Sequence, residues 1–219
     1  MKKQFLILLI ILNFSAIAQT SIRYVALGDS YTIGTGAAEA QSWPALLVKH
    51  LKEKKIDIEL VANPSRNGWT TQHVLNQELP VLDKSKANFV TILIGVNDWV
   101  QGVDVKTFRK NLIKILDHIQ AQLPDKSNLV LITIPDFSVT PGGAKYTGGR
   151  DASKGISEFN QVILAEAKKR NLKTVDLFEQ SKQMGKDSSL VAPDGLHPSA
   201  KGYAAWEALI FPVVLEVLK

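Results

Sequence analysis

The stretch NFVTILIG at residues 88–95 decides the fold that the sequence predicts. Its apolar side chains follow one another almost without interruption, which is typical of a strand buried on both faces in a parallel sheet. Three other apolar runs are interpreted as strands as well: IRYVAL at 22–27, NLVLITI at 128–134 and LKTVDLF at 172–178. A fifth run, IDIELVA at 56–62, alternates apolar and polar residues, so we expect it at a half-exposed edge of the sheet.

Helical patterns alternate with these runs along the chain. Ser42 is placed to cap the first helix, while a proline is expected to break or kink the second at Pro80 and to interrupt the last at Pro212. The alternation predicts an α/β fold, with helices on both faces of a parallel sheet whose ligands bind beyond the carboxyl ends of the strands. The helical segments are 42–55, 70–84, 105–119, 156–167 and 199–219.

The composition is that of an ordinary globular chain, with 219 residues, of which 45% are hydrophobic and 21% are charged. This length suits one domain with a full core. The formal net charge of +5 is mild, and the basic residues are spread along the chain, so we expect no nucleic-acid partner. Because the chain contains no cysteine, disulfides, thiolate catalysis and cysteine-based metal sites are excluded.

The first residues, MKKQFLILLIILNFSAIAQT, differ in kind from the rest. A basic start precedes a short apolar run, which ends in the small-residue site AIA at 16–18. This pattern predicts a secretory signal peptide, 1–18, cut after Ala18, and a single domain at 19–219. The alternative is an uncleaved membrane anchor, for which the run is short. We therefore expect a secreted or periplasmic bacterial protein that needs no cofactor and keeps no stable membrane anchor after cleavage.

Residues suited to nucleophilic catalysis follow the first and the last predicted strands. Ser30 stands in LGDSYT at 27–32, and Asp194 and His197 share the tight loop APDGLHPS at 192–199. Such a loop can set a carboxylate against one imidazole nitrogen and leave the other nitrogen to take the proton of a serine hydroxyl. The alternative is that these residues simply occupy surface turns, where they are common.

Acyl transfer also needs hydrogen-bond donors for the negative oxygen of its intermediate. Three groups on the same predicted edge are candidates: the backbone N–H of Ser30, the backbone N–H of Gly68 and the side-chain amide of Asn97. The alternatives are an ordinary Asn-Gly turn for Gly68 and an amide that braces a loop for Asn97.

The motifs GDSYT, GVND and DGLHPS, in this order and at these distances, resemble those of the SGNH/GDSL hydrolase family over nearly all of the chain after the predicted signal peptide. The resemblance implies a three-layer α/β/α, flavodoxin-like fold with a five-stranded parallel sheet in the order 2-1-3-4-5. It also implies Ser30 as nucleophile, His197 as base and Asp194 as the partner of that base. Ser30, Gly68 and Asn97 would form the oxyanion hole, and no position of this set is substituted.

The loops at this edge are expected to select the substrate. Tyr31, Trp69 and Trp99 are candidates to line a substrate pocket, with packing in the core or rim as the alternative. The glycine-rich segment 135–150 is either a mobile lid or a disordered connection. Three further histidines fall on predicted helices without the spacing of metal ligands, so no metal site is predicted. They are His50, His73 and His118.

Three functions are compatible with these residues. The first is a serine esterase that hydrolyses acyl esters, including those of lysophospholipids, through an acyl-enzyme on Ser30; the apolar side chains at the rim favour it. The second is an O-deacetylase acting on secreted or cell-wall carbohydrate, and the third is a binding module without turnover. The expected partner is therefore a small-molecule, lipid or acylated-carbohydrate ester, and the sequence leaves the oligomeric state open.

Overall fold

The computed structural model describes residues 21–219, so the predicted signal peptide lies outside the described residues. In this part of the chain, five strands form one parallel sheet in the order β2-β1-β3-β4-β5. This order confirms the fold that the resemblance implied, with the fully buried β3 at the centre and the half-exposed β2 at an edge. The strands are β1 (Ile22–Gly28), β2 (Ile58–Ala62), β3 (Phe89–Leu93), β4 (Leu129–Ile132) and β5 (Lys173–Val175).

Helices cover both faces of the sheet. They are α1 (Ser30–Ile33), α2 (Trp43–Glu53), α3 (Thr71–His73), α4 (Leu79–Ser85), α5 (Val96–Val100), α6 (Val105–Gln122), α7 (Ala152–Arg170), α8 (Phe178–Ser181) and α9 (Ala200–Val217). Helix α2 packs against α9 on one side, and α6 packs against α4 and α7 on the other. Trp43, Phe89 and Phe108 are among the core side chains that these layers exclude from solvent. Within residues 21–219, every helix is too short or too polar to span a bilayer.

Pro80 and Pro212 affect their helices differently. Just before Pro80 the helix widens into a π-helical turn, Val74–Glu78, which is the irregularity expected near a residue without an N–H donor. The predicted interruption at Pro212 is wrong, because α9 runs through this residue without a break. Pro212 is exposed, whereas Ile210 and Val214 are fully buried. Packing of the buried face therefore holds the helix together where a backbone hydrogen bond is missing.

The start of α2 also differs in one detail from the expectation. Ser42 occupies the N-cap position, but its hydroxyl donates to the backbone carbonyl of Glu39 (2.8 Å) and accepts nothing from the helix. The short 3₁₀ turn Glu39–Gln41 directly before the helix brings that carbonyl within reach. The helix begins where predicted, with Pro44 in its first turn.

Two buried carboxyl groups hold the carboxyl end of β1. The N–H of Gly28 donates to Oε2 of Glu78 (2.9 Å), which the π-helical turn carries to this point. Asp29 caps α1, because its Oδ1 accepts the N–H of Tyr31 (3.0 Å). Position 28 requires glycine, since a Cβ atom there would overlap atoms of α1 and β3. These contacts end the strand at Gly28 and begin the helical turn at Ser30.

A third buried carboxyl group, that of Asp98, ties α5 to α3. It accepts the backbone N–H and the hydroxyl of Thr71, at 2.8 and 2.5 Å. Burial raises the pKa of Asp29, Glu78 and Asp98 above the ordinary carboxyl range. For Asp29 the pKa rises to about 8, because burial is joined by the nearby charge of Asp98.

We expect the free energy of unfolding to fall as the pH rises, because of Asp29. Its pKa is about 8 in the fold against an ordinary value of 3.8, so between these values the folded state binds a proton that the unfolded state has released. Stability therefore declines with rising pH through this window. The Asp29→Asn variant keeps an acceptor for the N–H of Tyr31 but does not ionise, so its decline should be smaller.

Urea unfolding at a series of pH values across this window measures the slope. Asp57→Asn, which removes an exposed carboxylate, is the matched control and should keep the slope of the unmodified protein. Equal slopes for Asp29→Asn and the unmodified protein would contradict a buried, protonated Asp29.

Candidate active site

The loop after α8 pairs a histidine with a carboxylate. Nδ1 of His197 lies 2.6 Å from Oδ2 of Asp194, and Oδ1 of the same carboxylate accepts the N–H groups of Leu196 (2.8 Å) and His197 (3.0 Å). Partial burial acts to raise the pKa of Asp194, but these hydrogen bonds outweigh it and hold the pKa below the ordinary value. The ionised carboxylate keeps the proton on Nδ1, which leaves Nε2 of His197 as the basic nitrogen.

Ser30 is the first residue of α1, and only 6% of it is exposed. It lines a small cavity together with Asn97 and Leu196, and Leu196 directly precedes His197 in the chain. The ring of Tyr31 meets the imidazole of His197 edge-on, with 5.6 Å between ring centroids. The loop that carries Asp194 and His197 thus packs against the helical turn that carries Ser30.

The two other predicted donors, Gly68 and Asn97, lie close together, because Asn97 is hydrogen-bonded to Trp69, the residue after Gly68. Nδ2 of Asn97 donates to the carbonyl of Trp69 (2.9 Å), and its second contact, with Oδ2 of Asp29, is long at 3.4 Å. The amide therefore braces the loop after β2, and its contact with Asp29 is the weaker of the two. Gly68 has a φ of 77°, and its carbonyl accepts the side-chain amide of Gln101 (3.0 Å), which orients the peptide group between Gly68 and Trp69.

Tyr31 and Trp69 lie in different surroundings. Tyr31 is buried and lines the cavity beside Ser30. Trp69 is half-buried and stacks on the ring of His73, with 5.8 Å between centroids and an angle of 7° between the planes. The structure therefore brings Tyr31 to the candidate nucleophile, whereas Trp69 lies on the loop beside Gly68.

Trp99 is packed into the fold, with 7% of the residue exposed. The guanidinium of Arg150 lies 3.9 Å from the centre of its ring, and a Cβ atom at Gly155 would overlap its indole. Nη1 and Nη2 of Arg150 also donate to the backbone carbonyls of Trp99 (2.9 Å) and Val100 (3.0 Å). Val100 lines the cavity at Ser30, whereas Trp99 is not among its lining residues.

The cavity at Ser30 is small, about 50 Å³, and mostly apolar. The segment 135–150 forms part of its wall and contains two short 3₁₀ turns, Phe137–Val139 and Gly143–Tyr146. The N–H of Gly142 donates to the carbonyl of Gly195 (2.7 Å), which ties the segment to the loop of Asp194 and His197. Besides Ser30, Tyr31 and Asn97, the residues that line the cavity are Val96, Val100, Phe137, Tyr146 and Leu196. The sequence did not identify these five as lining residues, because no local pattern marks them.

The remaining histidines have structural partners. Nδ1 of His50 lies 3.0 Å from Glu207 and Nε2 of His118 lies 2.7 Å from Asp83, while His73 accepts a backbone N–H at the start of α3. In the part of the chain that the structure describes, no three histidine, aspartate or glutamate side chains are grouped to hold a metal ion.

Comparisons with known proteins identify the family. The pattern of the GDSL-like Lipase/Acylhydrolase family matches residues 26–205. An arylesterase of Vibrio mimicus is 32% identical over 152 residues, which are 68% of this chain and 72% of that relative. The esterase TesA of Pseudomonas aeruginosa is 27% identical over 191 residues, which are 87% of this chain and 85% of that relative. A crystal structure of a lipase/acylhydrolase from Enterococcus faecalis matches with a TM-score of 0.69 and 26% identity, over 90% of this chain and 95% of that chain. The chain therefore belongs to the GDSL-like lipase/acylhydrolase family and is a carboxylic ester hydrolase.

Proposed function

We propose that this enzyme is a serine esterase that hydrolyses esters of short acyl groups through an acyl-enzyme on Ser30. The observation that carries the proposal is the 2.6 Å hydrogen bond between Nδ1 of His197 and Asp194. It supports a basic role for the other imidazole nitrogen, on a loop that packs against the turn of Ser30. An activated serine nucleophile needs a histidine whose other nitrogen is held by a carboxylate in this way.

In the proposed reaction, Nε2 of His197 takes the proton of the Ser30 hydroxyl as Oγ attacks the ester carbonyl. The tetrahedral intermediate collapses, the carbon–oxygen bond to the alcohol breaks, and the alcohol leaves with the proton from His197. A water molecule then attacks the acyl-enzyme by the same steps and releases the acid.

The negative oxygen of the intermediate is proposed to bind three donors. These are the backbone N–H groups of Ser30 and Gly68 and the second amide hydrogen of Asn97. The short contact from Asn97 to Trp69 (2.9 Å) supports this role, because it fixes the amide before the substrate arrives. A fixed donor of this kind contributes about 2.7–4 kcal/mol to the stability of the transition state.

The size of the cavity at Ser30 supports a short acyl group. A cavity needs at least about 10–15 Å³ for each water-sized group, so a volume of about 50 Å³ accepts at most about three to five such groups. An acyl chain from acetyl to butyryl has this size. The sequence favoured a lipid esterase because of the apolar rim; the cavity supports the deacetylase alternative more strongly than a long-chain lipase.

We expect Ser30→Ala to lower kcat for p-nitrophenyl acetate by at least about 10³-fold, because the nucleophile is lost. Ser188→Ala, which removes an exposed serine hydroxyl elsewhere, is the control and should retain activity. Circular dichroism confirms that each variant is folded. Hydrolysis by Ser30→Ala at the rate of the control would refute the acyl-enzyme.

We expect Tyr146 to limit the length of the acyl chain that the enzyme accepts, because it is the exposed residue in the cavity wall (45% exposed). Tyr146→Ala opens this wall, so the ratio of kcat/KM for p-nitrophenyl octanoate to that for the acetate should rise by about ten-fold or more. Leu164→Ala removes a similarly exposed apolar side chain on α7 (38% exposed) and should leave the ratio unchanged. An unmodified enzyme that prefers octanoate would contradict the short-chain proposal directly.

We also propose, from the sequence of residues 1–18, that the enzyme is exported and cut after Ala18. Expression of the full chain in a bacterial host, followed by mass spectrometry of the protein in the periplasm and the medium, tests this. The expected N-terminal residue is Gln19. Recovery only of the uncut chain, in the membrane fraction, would support the anchor instead.

A further inference from the structure

Tyr31 directly follows the candidate nucleophile, and its ring contacts two other aromatic rings. Its centroid lies 5.6 Å from that of the imidazole of His197 and 5.4 Å from that of the indole of Trp206, and both pairs meet at 62°. These are distances and angles that aromatic pairs favour. Tyr31 is 3% exposed and Trp206 is 1% exposed, so close packing leaves both rings little freedom to move.

The two ring partners of Tyr31 belong to one stretch of chain. His197 lies in the loop that leads into α9, and Trp206 lies on α9 itself. Ser199, the N-cap of α9, holds the start of this helix, because its hydroxyl oxygen accepts the N–H of Gly202 (3.2 Å). The ring of Tyr31 therefore packs both against the loop that carries the proposed base and against the helix that continues this loop.

The backbone of Tyr31 is held as well. Its N–H donates to Oδ1 of Asp29 (3.0 Å), and its carbonyl accepts the indole N–H of Trp43 (3.1 Å). Asp29 and Trp43 are both fully buried. Because Ser30 and Tyr31 are neighbours in α1, the contacts that hold Tyr31 also determine where Ser30 lies relative to His197.

Tyr203 supports this packing from α9. Its ring meets that of Trp206 at 84°, with 5.7 Å between centroids, and its hydroxyl donates to the carbonyl of Thr35 (2.8 Å). Thr35 follows α1, and its N–H donates to the carbonyl of Ser30 (3.0 Å). Helix α9 is thus connected to the turn of Ser30 twice, through the aromatic rings and through the hydroxyl of Tyr203.

The imidazole of His197 needs such a neighbour. A single hydrogen bond at Nδ1 restrains the ring but does not by itself set the direction of Nε2, and the carboxylate that accepts it is open to solvent, with 41% of the Asp194 side chain exposed against 13% of that of His197. A general base must lie within hydrogen-bond reach of the proton it takes. A misplacement of about 1 Å can lower the rate about 100-fold.

We propose that Tyr31 is a positioning residue of the reaction, whose ring holds the imidazole of His197 where Nε2 reaches the hydroxyl of Ser30. The same residue is joined to Ser30 by a peptide bond, so it sets the separation of nucleophile and base from both sides. This inference rests on the proposed serine esterase and deepens it, because it adds a residue that acts through the base.

The test compares variants of the full chain in the hydrolysis of p-nitrophenyl acetate. Tyr31→Leu removes the ring and keeps an apolar side chain, so kcat should fall by at least about ten-fold, while KM should change by less than about two-fold. Tyr31→Phe keeps the ring and should recover most of the kcat lost in Tyr31→Leu. Tyr24→Leu, which removes a fully buried tyrosine ring from β1, is the matched control and should keep kcat.

Trp206→Leu separates positioning from contact with the substrate, because Trp206 is not among the residues that line the cavity at Ser30. It removes a ring that supports Tyr31, so kcat should fall by at least about three-fold with little change in KM. An unchanged kcat in Trp206→Leu, beside a large loss in Tyr31→Leu, would assign that loss to direct contact with the acyl group and overturn the proposal. An equal loss in Tyr31→Phe would overturn it in favour of the hydroxyl.

Circular dichroism and thermal unfolding show which variants are folded at the assay temperature. Tyr31→Met takes the place of Tyr31→Leu, with the same expectation, if the leucine variant does not fold. A kcat within about two-fold of the unmodified enzyme in the folded variant overturns the role of Tyr31. Failure of the serine mechanism has a different result, namely hydrolysis that persists in both Ser30→Ala and His197→Ala.

Discussion

The hydrogen bond from the backbone N–H of Gly28 to the buried carboxyl group of Glu78 fixes the point at which β1 ends. The chain turns at the next residue, and Ser30 follows at the start of α1. Because the other candidate groups lie beyond neighbouring strand ends, their positions relative to Ser30 depend on where this strand stops. Both Glu78 and Asp29 are withdrawn from solvent, which raises their pKa values. The edge that positions Ser30 is therefore also a place where burial of acidic groups opposes folding at high pH.

The architecture could be predicted from the sequence because the central strands are buried on both faces, so their side chains must be apolar over the whole run. The candidate site residues could also be proposed from the sequence, since each of them follows a strand or occupies a short motif, as Asp194 and His197 do. The prediction failed at Pro212, where a local rule about proline met a helix face held by Ile210 and Val214. The packing of these two side chains against the rest of the fold outweighed the tendency of proline to break a helix.

The sequence did not indicate the surroundings of individual side chains, because these depend on contacts between distant segments. Trp99 was a candidate for the substrate pocket because it follows Asn97 closely, but its ring packs against Arg150 of the segment 135–150 and Gly155 of α7. The walls of the cavity at Ser30 have the same origin, since Val100 and Tyr146 belong to segments far apart in the sequence and meet only in the folded chain. Neither residue carries a local signal of its place in the cavity.

The contacts of Arg150 have a mechanical consequence. This side chain grips the carbonyl groups at the end of α5 from the segment 135–150, and α5 also carries Asn97. If the segment moved to admit a bulkier acyl group, the hydrogen bonds of Arg150 would also displace α5, and with it the amide of Asn97. We therefore expect a broader choice of acyl group to disturb the proposed oxyanion hole.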